Sequence, residues 1–89
     1  MRQLSLDEIK VQLALGTMSP NSILERVSDP KILMILSNSN DDNIRFAVAA
    51  HLRTPKSVLI KLTKDKNAVV AEEAKGMLFI RSKGTAYND

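Results

Sequence analysis

The chain of 89 residues has no cysteine and no tryptophan, and its only aromatic residues are Phe46, Phe79 and Tyr87. Without thiols there is no disulfide framework, no thiolate zinc site and no iron–sulfur cluster, and a cytoplasmic location is the expectation. With so few aromatics the core must be aliphatic. The three glycines, Gly16, Gly76 and Gly84, form neither a phosphate-binding loop nor a nucleophile elbow. His51 is the single histidine, so a metal or catalytic role lacks a second nitrogen or sulfur ligand. It is expected instead to bond a turn carbonyl, partly buried. No apolar run approaches the ~20 residues of a membrane span. Asp7 and Glu8 occupy positions where a signal peptide needs apolar residues. The expectation is a soluble chain with no membrane, no cofactor and no enzymatic activity.

What the chain has is 44% hydrophobic residues arranged in short helical patterns. Ser5 with Glu8 makes a capping box, and Gly16 supplies a left-handed stop, so the pattern predicts a helix over Leu6 to Leu15. Leu6, Ile9 and Leu13 form its apolar face, with Val11 or Leu15 as further members. Each proline follows a good cap: Ser19–Pro20, Asp29–Pro30 and Thr54–Pro55. These start helices over Pro20 to Ser28 (apolar Ile23, Leu24, Val27), Pro30 to Ser37 and Pro55 to Lys64 (apolar Val58, Leu59, Leu62). The helix over Pro30 to Ser37, with Ile32, Leu33, Met34, Ile35 and Leu36, is apolar all round and is predicted to be buried. Between them Asn43 to Leu52 shows Ile44, Ala47, Val48, His51 and Leu52 at one-face spacing. A sixth helix is predicted over Ala68 to Arg81. The result is one domain over 1–81 of about six short helices, followed by a flexible tail over 82–89.

Parts of the chain match one another. A shift of 35 lays SPNSILERVS on TPKSVLIKLT without a gap, and a shift of about 25 lays Ile32 to Ser37 on Val58 to Thr63. Either way, each unit cannot bury its apolar face alone and must stack on a neighbour.

The string from Asp42 to Asp65, DNIRFAVAAHLRTPKSVLIKLTKD, resembles the variant leucine-rich repeat and is similar to the wider class of HEAT and armadillo repeats. The family pattern is an acidic turn, a Val/Ile-Arg helix start, an alanine-rich stretch, then Thr-Pro and a leucine-rich helix. The resemblance implies an all-α, right-handed α-solenoid that acts as a binding scaffold. It also implies that Arg45 joins Asp41, Asp42 and Asp65 in an ionic ladder along the stack. At the matching position of the next unit stand Val70 or Ala71, so the ladder is expected to end there.

Charge is unevenly distributed. From Met1 to Ile44 there are four basic and six acidic residues; from Arg45 onward there are nine and four, within a net charge of +3. Arg53, Lys56, Lys61, Lys64 and Lys66 cluster around the fifth helix, either as a solvated face or as a surface for duplex nucleic acid or an acidic protein. In the sixth helix, Met77, Leu78, Phe79 and Ile80 surround the axis at about 100° per residue, so they cannot all face one neighbour. A partner patch of Met77, Phe79 and Ile80 is expected there. Three functions remain open from the sequence. The chain is an adaptor that binds another protein through one face of the stack, an electrostatic nucleic-acid binder using the basic half, or a self-associating assembly subunit.

Overall fold

A computed structural model describes residues 2–83. They form six α-helices and, among the described residues, no strand: α1 Leu6–Leu15, α2 Pro20–Arg26, α3 Pro30–Leu36, α4 Asp42–Ala50, α5 Lys56–Leu62 and α6 Ala68–Lys83. Among the described residues, no helix is long and apolar enough to cross a membrane.

Local chemistry places most of these boundaries. The Ser5 hydroxyl accepts from the Glu8 N–H at 3.2 Å while the Glu8 carboxylate accepts from the Ser5 N–H at 3.0 Å, completing the capping box. Gly16 ends α1 at φ 72°, a conformation a side chain would strain. Ser19 and Asp29 cap α2 and α3 one residue before their prolines. Asp41 caps α4 by accepting from the Asn43 N–H at 2.8 Å. At α6 the cap is Asn67, whose side-chain oxygen accepts from Val69 N–H at 2.8 Å and Val70 N–H at 3.3 Å.

The junction between α4 and α5 differs from the sequence reading, and the bonding of Thr54 explains it. Helix α4 stops at Ala50, with His51 extended at φ −82° and ψ 131°. The Thr54 hydroxyl, expected to cap the next helix, donates instead to the Val48 carbonyl at 2.7 Å and closes α4. Helix α5 then begins at Lys56 with no side-chain cap. Leu52 is consequently thrown out of helical register and is exposed, not part of the apolar face. Helix α6 runs two residues beyond Arg81, so Ser82 and Lys83 are helical; the remainder of the expected tail, 84–89, lies outside the described residues.

Helix α4 lies between α2 and α6 and touches both; α3 and α5 pack on α4, and α5 also packs on α6. The molecule measures 37 × 29 × 18 Å, its thinnest dimension about two helix diameters. Ile9, Ile23, Leu33, Leu36, Val48, Leu59, Leu62 and Val70 form the centre of an aliphatic core. Helix α3 is not buried on all sides: Leu33 and Leu36 face the core, whereas Met34 and Ile35 are about half exposed. Val11, Leu15 and Leu24 also face outward.

Candidate functional site

Polar side chains between successive helices form two sets of contacts. In the first, Arg45 is buried on α4 and donates from Nε to Asp65 Oδ2 at 2.8 Å and from Nη2 to Asp65 Oδ1 at 3.1 Å. Its Nη1 reaches the Ser39 carbonyl at 2.8 Å, and Nη2 also bonds Asp42. Asn67 extends the network, donating from its side chain to Asp42 Oδ2 at 2.8 Å and from its backbone to Asp65 Oδ1 at 2.8 Å. The fork geometry of a guanidinium on a carboxylate favours this pairing. Arg45 holds the Asp65 carboxyl below its ordinary range, and Asn67 and then Arg45 do the same for Asp42. The structure thus brings Arg45, Asp42 and Asp65 together, while Asp41 serves α4 as its cap. Val70 and Ala71, which stand at the matching place on α6, are buried and apolar.

The second set runs along the C-terminal ends of α2, α4 and α6. Arg26 Nε donates to the Arg2 carbonyl at 3.1 Å, and Arg53 Nε to the Ser28 carbonyl at 3.1 Å. Arg81 donates to the carbonyls of Thr54 at 2.7 Å, Leu52 at 2.6 Å and His51 at 3.2 Å. Arg53 and Arg81 each reach back to the turn that follows an earlier helix and satisfy its carbonyls, whereas Arg26 bonds the segment before α1. The sequence reading missed Arg26 and Arg81 in this role. The signal was present, because Arg26, Arg53 and Arg81 recur at steps of 27 and 28 residues.

His51 belongs to the same edge. Its Nδ1 accepts from the Arg53 N–H at 3.0 Å, which fixes the proton on Nε2, and Nε2 donates to the Val27 carbonyl. Burial lowers its pKa from the ordinary 6.5, the positive charges of Arg53 and Arg81 add to this, and the Val27 carbonyl opposes it. A folded pKa below the unfolded one means that His51 contributes stability above about pH 6.5 that is lost as pH falls through the folded value. Urea midpoints of the wild type should therefore drop as pH is lowered from about 6.5 toward the carboxylate range, whereas His51→Gln should start lower and vary less. Parallel profiles for the two proteins would contradict the neutral, doubly bonded ring.

The basic set is not one surface. Lys61 is drawn to α3, donating to Ser37 Oγ at 2.8 Å and Asn38 Oδ1 at 2.9 Å, and Arg53 is committed to Ser28. Lys66 lies beside the carboxylates of Asp42 and Asp65. Lys56 borders a shallow concavity with Leu52, Pro55 and Arg81, and Lys64 is exposed. Among the described residues, no group of three or more His, Asp or Glu side chains is placed to hold a metal ion.

The expected partner patch is divided by the structure. Met77 is buried with Val70, Ala71 and Ala74 on the core side of α6, so it leaves the patch. Phe79 and Ile80 point outward with 63% and 60% of their surface exposed, and Val69 joins them at 64%. Comparison with protein-family models, curated proteins and solved structures finds no match to this chain.

Proposed function

We propose that this chain is a non-enzymatic helical-repeat adaptor of the HEAT, armadillo or variant leucine-rich kind, a short right-handed α-solenoid whose outer α6 face docks a protein partner. The observation that carries the reading is the exposure of Val69, Phe79 and Ile80 on the last helix. Three large apolar side chains on one helix form a patch of the kind that marks an interaction surface. The repeat character is supported by the step of the contacts: His51 to Val27, Arg53 to Ser28, Lys61 to Ser37 and Asn67 to Asp42 each span 24 or 25 residues. That favours the shorter of the two internal shifts. The dispersal of Arg53, Lys61 and Lys66 among other bonds and charges disfavours a nucleic-acid surface, which needs its cations free for phosphates.

Replacing Phe79 and Ile80 together with serine is expected to abolish association while leaving the helical circular-dichroism signal near that of the wild type. Retention of association by that variant would overturn the docking face. A sheet-dominated spectrum of the wild type would overturn the architecture itself.

A further inference from the structure

We infer that the partner seated on α6 is a second copy of this chain, packed antiparallel about Gly76. This rests on the reading of α6 as the docking face and says what occupies it. At about 100° per residue, Val69, Glu72, Glu73, Phe79, Ile80 and Lys83 all fall within about 60° of the Gly76 direction. They stand three, four and seven positions on either side of it. Val70, Ala71, Ala74 and Met77 point the other way, into the core. The outer face is acidic before Gly76 and basic at Lys83, with Phe79 and Ile80 beside the centre. An antiparallel second copy brings Glu72 of each chain near Lys83 of the other and lays Phe79 and Ile80 over the crossing. Parallel copies would instead oppose like charges.

Gly76 gives a second reason. A Cβ there would meet nothing within 4 Å, so the single chain has no steric need for glycine in the middle of its longest helix. Glycine disfavours an exposed helix interior relative to alanine. Close approach of another backbone at the crossing would require it. Continued stacking of similar units is less well served, because Val70 and Ala71 lack the guanidinium that joins α4 to the next turn.

Toward the opposite end of the fold, the N-terminal segment is tied to α1 and to the end of α2, while Val11 and Leu15 of α1 stay exposed. Leu4 is buried, its N–H donates to the Arg26 carbonyl at 2.8 Å, and Ser28 Oγ donates to Gln3 at 2.9 Å. Arg2 clamps Glu8 through two bonds of 2.9 and 2.8 Å, and this holds the Glu8 carboxyl at a pKa of about 2. In a closed two-fold dimer every contact occurs twice, which a head-to-tail polymer does not offer.

Sedimentation velocity of the full chain over a wide concentration range tests the inference. The wild type should form dimers, and Glu72→Lys or Lys83→Glu should each weaken them about tenfold, since each change places two like-charged pairs across the interface. Combining both substitutions should restore the wild-type dissociation constant to within about threefold. Gly76→Leu should weaken dimers at least as much as either charge reversal. A wild type that stays monomeric, or a dimer indifferent to both charge reversals, overturns the second copy as occupant. So does a dimer that forms only after residues 84–89 are removed, which would give the face to the chain's own C-terminal segment. If the wild type is monomeric and captures another protein in a manner that Phe79→Ser with Ile80→Ser abolishes, the docking face stands and only the second copy is excluded. If that double variant retains both association and capture, the docking face fails as well.

Discussion

Arg45→Ala is expected to destabilise the fold by about 3–5 kcal/mol, measured as a loss in urea unfolding free energy. The reason is the charge left behind. Asp65 retains only 7% side-chain exposure and would lose its two guanidinium bonds. Its Asn67 N–H partner cannot neutralise a carboxylate by itself. Asp42, nearly half exposed, contributes little because water already screens it. Pairing Arg45→Met with Asp65→Asn removes the stranded charge and keeps an acceptor for the Asn67 N–H, so the double variant should recover most of the loss. Equal losses in single and double variants would mean that Arg45 acts through packing alone. The pH dependence has a definite sign. The folded pKa of Asp65 lies below the ordinary 3.8, so its contribution is present above that value and disappears as pH falls through the folded one. Arg45→Ala should flatten that acid limb.

Leu59→Ala carries the other large expected effect, about 2–5 kcal/mol, because Leu59 is fully buried and its truncation opens a cavity in an aliphatic core. Val48→Ala, also fully buried, should cost less, about 1.5–3 kcal/mol, since two carbons are removed instead of three. Leu52→Ala is the informative companion. The helical spacing from Ile44 places Leu52 on the apolar face, but in the structure it is 77% exposed, and its truncation should stay within about 0.5 kcal/mol. A large loss at Leu52 with none at Leu59 would shift the register of both helices.

The helices were legible because their signals are local. A capping box, a glycine stop and two cap-plus-proline starts act within a few residues, and they locate α1, α2 and α3 to within two residues at either end. Ionic neighbours were partly legible. Arg45 with Asp42 and Asp65 followed from the repeat resemblance, yet Asp41 joined them in that expectation and turns out to cap α4. On α6 the count of apolar residues showed that some must be left outside. It did not separate Met77 from Phe79 and Ile80, because four consecutive apolar residues carry no periodicity.

By itself, the sequence determined the helix order, the aliphatic character of the core and an excess of apolar side chains at the C-terminal end. These follow from propensities, caps and composition, which act over one or two turns. The tertiary structure alone decided where α4 ends, what Thr54 bonds, which arginines serve the helix ends and which side of α6 faces out. The arginine bonds depend on carbonyls brought together from residues 20 to 30 positions apart, as with Arg81 on the carbonyls of His51 and Leu52, whereas the Thr54 bond to Val48 spans only six. A buried carbonyl must be satisfied by whatever donor the packing delivers, and local sequence does not say which one arrives.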